Sequence, residues 1–186
     1  MQRKRQFAAV AAFVSAIVMC VLCLVSSACA ADAGDVLQLA EGLLGTGDYD
    51  AALSLLGNVV ASDHSLAARA TRLMAQCYHG KGQFQAALDA LDQVISLYPE
   101  DPHAVLAKGD KAVVLMAGMH DYSKGRELLS ELLSANAEHQ SAVEWTFYLG
   151  MCDFSESNWT DARTTLAALY TNYPSSEWHA QAKYTE

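Results

Sequence analysis

The chain has 186 residues and a formal net charge of −9 at pH 7, and 52% of its residues are apolar. Such an apolar content argues against a disordered chain, and the length is that of one modest domain. The acidic balance argues against nucleic acid as a partner, because nucleic-acid-binding proteins cluster Lys and Arg on one face.

Residues 1–30 have the pattern of a bacterial-type signal peptide. Three basic residues stand within the first five positions, and no charged residue follows between positions 7 and 31. The uncharged run ends in an Ala-x-Ala site formed by Ala28 and Ala30. A basic start, an apolar stretch and a small-residue cleavage site together direct a chain to export. We therefore predict an exported protein, periplasmic or associated with the outer side of the inner membrane, with the residues after 31 facing away from the cytoplasm.

Two alternatives to cleavage stay open for this segment. The uncharged run reaches the roughly 20 residues that span a bilayer, so retention as an N-terminal membrane anchor is one of them. Lipidation is the other, and Cys29, which follows small residues at the end of the run, is its candidate site. In each case we expect membrane contact through the N-terminal segment only, because the acidic remainder is repelled by anionic lipid.

After residue 31, one short pattern occurs four times: a turn, an aromatic residue and a small residue three positions later. Apolar residues follow each aromatic at offsets of 7 and 10, and together these side chains lie on one face of a helix. A period of 35 to 38 residues between the aromatics indicates an array of helical repeats, each with one helix before the turn and one after it. The four aromatics are Tyr49, Phe84, Tyr122 and Trp159.

These units resemble the tetratricopeptide repeat (TPR), which has 34 residues, a small residue in its first helix and an aromatic that opens its second. The second unit matches this pattern best, through Ala75, Tyr78, Gly82, Phe84, Ala87 and Pro99. The resemblance implies an all-α, TPR-type α-solenoid that winds into a right-handed superhelix. It places four repeats at residues 33–66, 68–101, 106–139 and 143–176, followed by a short capping helix at 177–186.

The third unit departs most from that pattern. It has Val113 at the small position, His120 where glycine is usual and Ala137 in place of the closing proline. On this frame about four extra residues stand ahead of the unit. We therefore expect an insertion in the connection before residue 106.

Outside the N-terminal segment the chain has two cysteines, Cys77 and Cys152. Both take the same place in the first helix of a repeat, two repeats apart. Packed helices lie about 8 to 10 Å apart, which separates these thiols far beyond the roughly 7 Å between α-carbons that a disulfide permits. We predict two unpaired and largely buried thiols.

The sequence contains no pattern typical of a catalytic or metal site. Its six histidines are scattered, without the helical spacing of a zinc site. The glycines at 42, 45 and 47 suggest a phosphate loop at first, but no Lys-Ser or Lys-Thr follows them. We expect no enzymatic activity, no cofactor and no bound metal.

The resemblance implies that the first helices of the repeats line the concave side of the array. Arg69 and Arg72 lie one helical turn apart there, so together they could hold a carboxylate of a partner. Farther along, Phe147, Met151 and Phe154 form an apolar stripe, so a peptide with an acidic and a hydrophobic end would fit. A solvated face and ordinary core packing are the alternatives. The predicted partner-binding residues are Arg69, Arg72, Gln76, Asp110, Val114, Phe147, Met151 and Phe154, and Leu37 and Glu41 also line the groove.

The C-terminal residues, with Pro174 and Trp178, resemble the link between repeats in bacterial cell-envelope TPR proteins. The resemblance implies an envelope-located scaffold that binds an envelope protein or peptide through its concave surface. The alternative is a ligand-binding accessory of a transport system that holds a small apolar molecule in the groove. A short cap after residue 176 leaves an apolar end exposed, which predicts homo-oligomer formation through the C-terminal end.

Overall fold

The computed structural model describes residues 32–173, and in that range the backbone is entirely helical apart from short connections. The family-typical all-α solenoid expected from the sequence is confirmed. The helices are α1 (Ala33–Thr46), α2 (Tyr49–Ser62), α3 (Ala67–Gly80), α4 (Phe84–Leu97), α5 (Pro102–Val113, continued by a π-helical turn at Val114–Gly118), α6 (Tyr122–Ala135), α7 (Ala142–Ser155) and α8 (Trp159–Asn172).

The helices form four antiparallel pairs, each a first helix (α1, α3, α5 or α7) and a second helix (α2, α4, α6 or α8). The second helices contribute the apolar stripe that the sequence predicts, and the stripe is confirmed as core. At offsets 7 and 10 from each aromatic the side chain is at most 3% exposed. Each fully buried leucine or valine contributes on the order of 2 kcal/mol through removal of its apolar surface from water. These residues are Leu56, Val59, Leu91, Val94, Leu129, Leu132, Leu166 and Leu169.

The connection from the first to the second helix is the same in all four repeats. Each first helix ends before a residue with positive φ, which is 83° at Gly47, 73° at Gly82, 57° at His120 and 64° at Ser157. This left-handed residue turns the chain so that the next amide can donate to a carbonyl near the end of the helix, as Gln83 N does to Tyr78 O at 2.9 Å. The repeated turn in the sequence is therefore a helix C-cap.

Neighbouring repeats are joined by an aromatic ring that packs on a glycine. Tyr49 opens α2 and lies over Gly80, the last residue of α3. In the same way, Phe84 opens α4 and lies over Gly118 at the end of the π-helical turn. A Cβ atom at either glycine would overlap the ring. The aromatic of one repeat thus requires the smallest residue at the end of the next repeat's first helix.

The predicted insertion in the third repeat lies within its first helix and not in the connection before it. Its first helix begins at Pro102, not at residue 106, and the Asp101 carboxylate caps it by accepting from the His103 amide at 2.8 Å. The extra residues lie within the helix, which widens into the π-helical turn where Met119 N donates to Val114 O at 3.1 Å. A helix absorbs an insertion this way when its two ends are already fixed by packing.

Cys77 and Cys152 are both fully buried, as predicted, and lie in separate core clusters. Burial raises the pKa of the Cys152 thiol to about 12, and Asp153 adds to this effect. None of the helices within residues 32–173 is long and apolar enough to cross a membrane. The predicted signal peptide at 1–30, the lipidation candidate Cys29 and the capping helix at 177–186 lie outside the described residues.

Candidate functional site

The first helices α1, α3, α5 and α7 follow one another along the array, and their solvent-facing side chains form a surface that we call the groove. Helix α3 contacts both α1 and α5, and Gly109 of α5 lies against Trp145 of α7. The groove residues thus come from four sequence segments, and the repeat period brings them side by side.

Ion pairs connect the first helices across the groove. On α3, the Arg69 guanidinium donates to the Glu41 carboxylate of α1, with Nη2 and Oε1 2.6 Å apart. Also on α3, Arg72 Nε donates to Asp110 Oδ2 of α5 at 2.8 Å, and Gln76 Nε2 donates to the same oxygen at 3.0 Å.

These pairs change the expected role of the two arginines. Arg69 and Arg72 both face the groove, and each binds a different carboxylate of this chain. The Arg72 and Asp110 side chains are only 18% and 24% exposed, so this pair is less screened by water than the Arg69 pair. The Arg72–Asp110–Gln76 network therefore stabilises the stacking of α3 on α5, and the charge of Arg72 is balanced within the chain.

A cavity of about 230 Å³ lies next to this network. Apolar side chains of α3, α4 and α5 form its floor, and polar side chains of α3, α5 and α7 form its rim. The floor consists of Ala75, Leu91, Val113 and Val114, and the rim of Gln76, His79, Asp110, Glu144 and Tyr148. A site with one apolar floor and several convergent polar groups can bury one side chain and hydrogen-bond the chain that carries it.

The rim has an acidic character. The pKa of the Tyr148 phenol is raised to about 12, first by burial and then by the nearby carboxylates of Glu144 and Asp110. Tyr148 is therefore a neutral hydrogen-bonding group at any physiological pH. The carboxylates of Glu144 and Asp110 beside the cavity disfavour the binding of an anion there and favour a group that donates hydrogen bonds.

Three rim residues were not predicted from the sequence, namely His79, Glu144 and Tyr148. Glu144 and Tyr148 are four positions apart, so they lie one above the other on α7. Glu144 is the third residue of α7, as Arg69 is the third residue of α3, so the repeat register could have indicated it.

The predicted apolar stripe of the fourth repeat does not form one surface. Phe147 is 9% exposed and packs against Leu166 and Leu169 of α8, and Met151 packs against the same cluster. Phe154 is 37% exposed and lies edge-on to Trp159, with ring centroids 5.0 Å apart. The stripe divides because α8 offers an apolar face on which Phe147 buries its ring.

Val114 also belongs to the core, with 2% exposure, and contributes only to the cavity floor. Leu37 on α1 is 1% exposed and packs in the first core cluster. Both had been placed on the groove surface by the repeat register. Within residues 32–173, no three His, Cys, Asp or Glu side chains come close enough to bind a metal ion.

A second polar cluster lies between α6 and α7. Asp153 is 4% exposed, and its Oδ1 lies 3.8 Å from Arg126 Nη1, while Arg126 Nε lies 3.3 Å from Glu156 Oε2. Burial raises the pKa of the Asp153 carboxyl, and Arg126 only partly opposes this. The ionised form of Asp153 is thus less favourable in the folded state than in the unfolded chain.

Asp153→Asn is therefore expected to stabilise the protein at pH 7. A carboxyl with a raised folded pKa binds its proton more tightly in the folded state, so wild-type stability falls as pH rises through that pKa. The neutral amide has no such dependence. Urea unfolding from pH 7 down to about pH 3 should show the advantage of the variant shrinking toward acid. A constant difference across this range would contradict the assignment.

Comparison with known proteins places the chain among helical repeats. The tetratricopeptide repeat family model matches residues 37–110 and 117–177. The fold is similar to that of a variant of a Podosopora anserina kinesin light chain with nearly identical TPR-like repeats, with a TM-score of 0.61 at 22% identity over 77% of each chain. The MamA RS-1 double mutant gives a TM-score of 0.63 at 16% identity, over 83% of this chain and 84% of that one.

A tetratricopeptide repeat protein from Parabacteroides merdae ATCC 43184 gives a TM-score of 0.63 at 14% identity, over 82% of this chain and 58% of that one. At such identities the likeness establishes the fold alone. No curated protein matches the sequence.

Proposed function

Because this chain belongs to the tetratricopeptide repeat family, we propose that it is an interaction scaffold that binds a segment of a partner protein in its groove. The cavity beside the Arg72–Asp110 pair carries this proposal. Its volume of about 230 Å³ suits one side chain, and it opens onto a surface formed by several repeats. The role is one of binding, not of catalysis.

The partner segment is neutral or basic, in contrast to the acidic segment that the two arginines had suggested. Arg69 and Arg72 are occupied by Glu41 and Asp110, so they offer little to an acidic ligand. The chain as a whole carries a formal net charge of −9, which attracts a basic partner and repels an acidic one. A partner with backbone or side-chain donors at the cavity suits the rim best.

A small apolar ligand, the alternative function, is less well supported. Ligand pockets usually measure about 300 to 1,000 Å³, and this cavity is smaller. The rim is also polar, and an apolar molecule would cover its polar side chains without offering them a hydrogen bond.

The scaffold acts outside the cytoplasm, in or near the cell envelope. The support for this part is the N-terminal sequence alone, with its basic start, uncharged run and Ala-x-Ala site. Cleavage, lipidation at Cys29 and retention as an anchor all place the repeats on the same side of the membrane. The partner on this proposal is another envelope protein.

We also propose that the chain self-associates through the C-terminal end of its array. Trp159 is 57% exposed, although it stands at the position of an aromatic that is packed in the first two repeats. An exposed apolar end on a repeat array favours stacking on another array.

Site-specific photo-crosslinking in the full-length chain tests the groove. A photoreactive residue at His79, on the cavity rim, is expected to crosslink to one envelope protein, which mass spectrometry of the adduct identifies. The control is the same residue at Ser130, on the exposed side of the second helix α6. Equal capture of the same protein from both positions would show that the groove is not the binding surface.

A further inference from the structure

We call the contact between an aromatic ring of one repeat and a glycine of the next repeat the joint. Its two halves, the glycine and the aromatic, stand at fixed sequence positions relative to the left-handed residue of each turn. The glycine half stands two residues before it, as Gly80 does before Gly82, and the aromatic half stands two residues after it. Tyr49 of the first repeat fits on Gly80 of the second, and Phe84 of the second repeat fits on Gly118 of the third. The third joint differs, since Ser155 takes the glycine position of α7.

The first and fourth repeats each carry a half of this joint that has no match within residues 32–173. Gly45 stands two residues before Gly47, so it is the glycine half of the first repeat, and in the described part of the chain no side chain or other helix lies within 4 Å of its Cβ position. Trp159 is the aromatic half of the fourth repeat and is 57% exposed. Phe154 lies edge-on to it and is itself 37% exposed.

We infer that Trp159 of one copy packs over Gly45 of a second copy, so that the chains stack head to tail and continue the solenoid. This inference rests on the self-association proposed above and specifies its contact. The second copy is the occupant because it presents, at the end of α1, the half of the joint that Trp159 lacks. Two joints of the same kind within the chain show the geometry that the contact would repeat.

The rest of the α1 surface suits this contact. Leu39 of α1 is 58% exposed, and Gly42, one turn before Gly45, likewise has an open Cβ position among the residues that the structure describes. An open helix face with two glycines lets a large ring approach the backbone closely. A tryptophan at the centre of such a contact supplies much of the binding energy.

A head-to-tail contact uses a different surface on each partner, and this determines the assembly. Such a heterologous contact leaves one free half at each end of a dimer, so further copies add until a ring closes or a filament grows. A contact between two tails would instead stop at a dimer and would not involve Gly45.

Sedimentation velocity of the full-length chain, with two variants and their mixture, tests the inference. Gly45→Leu blocks the glycine half and retains Trp159, whereas Trp159→Ala removes the aromatic half and retains Gly45. We expect wild type to form a series of oligomers and each variant alone to associate at least about thirtyfold more weakly. An equimolar mixture of the variants retains one complete joint and should form heterodimers that grow no further. Gly57→Leu, an open helical glycine on α2, is the matched control and should assemble as wild type does.

Three other results would each overturn a different part of this inference. Wild-type chain that is monomeric at every concentration overturns the self-association itself, as it would if residues 174–186 covered Trp159. Wild-type dimers that persist in Gly45→Leu overturn the head-to-tail contact and leave a tail-to-tail one. Loss of assembly in Gly57→Leu would show that leucine on any exposed helix face disrupts assembly, and would overturn the specific role of Gly45.

Discussion

Replacing Gly109 with leucine is expected to lower the free energy of unfolding by about 3 kcal/mol. Gly109 lies on α5 and is buried, and a Cβ atom at this position would overlap the indole Nε1 of Trp145 on α7. Trp145 is 3% exposed, and its ring is stacked on His139, with centroids 4.8 Å apart and planes 15° from parallel. The ring is held from both sides, so it cannot move away without breaking the contact between the third and fourth repeats.

Urea unfolding followed by circular dichroism measures this effect, and Gly57→Leu is again the matched control. Gly57 is also a helical glycine, but its Cβ position is open, so leucine there should be neutral or slightly stabilising through better helix propensity. Adding Trp145→Phe to Gly109→Leu should restore part of the lost stability, because the smaller ring makes room. Equal stability of Gly109→Leu and wild type would show that Trp145 does not pack on Gly109.

The architecture could be predicted from the sequence because it depends on local, repeated patterns. The four aromatics and the apolar residues that follow them fix the second helices, and Leu56, Leu91, Leu129 and Leu166 are all buried as predicted. Periodicity of 3.6 residues is a property of one helix, so it is readable without knowledge of the partners. Repetition then established the pairing of the helices.

The third repeat was placed less well because an insertion can be absorbed at several points. The structure places the extra residues within α5, which begins at Pro102 and ends in a π-helical turn. The helix start had a readable signal, since an N-cap aspartate followed by proline at the first helical position is typical of a helix N-terminus. The wide turn had none, because it packs between the second helices of two repeats, α4 and α6, which are distant in sequence.

The groove was predicted in outline, but its chemistry was not. The repeat register put Arg69 and Arg72 on the surface formed by the first helices, and the structure places them there too. Their bonds to Glu41 and Asp110 join residues 28 and 38 positions apart, and such pairs depend on how repeats stack. Phe147 was misplaced because a phenylalanine can turn toward the core or toward solvent, and the apolar face of α8 decides which.

Filling the cavity is expected to abolish most of the partner binding. Val113 lies on the cavity floor at the end of α5 and is only partly buried, so Val113→Trp projects an indole into the space. The partner side chain would then be excluded from the cavity. We expect affinity for the partner to fall at least about thirtyfold, as it does when a central contact of an interface is lost.

The control for this variant is Ser130→Trp, which adds the same side chain on the exposed side of α6. Both variants should unfold at the wild-type urea concentration, so that a change in binding is not a change in folding. A Val113→Trp variant that is destabilised would be replaced by Val113→Phe, which fills less of the cavity.

The measurement that tests the groove most directly is the dissociation constant of the crosslinked partner for wild type, Val113→Trp and Ser130→Trp, determined by isothermal titration calorimetry. Binding that is lost in Val113→Trp and unchanged in Ser130→Trp is the expected result. Equal affinity of all three proteins would contradict the proposal that the partner binds in the groove.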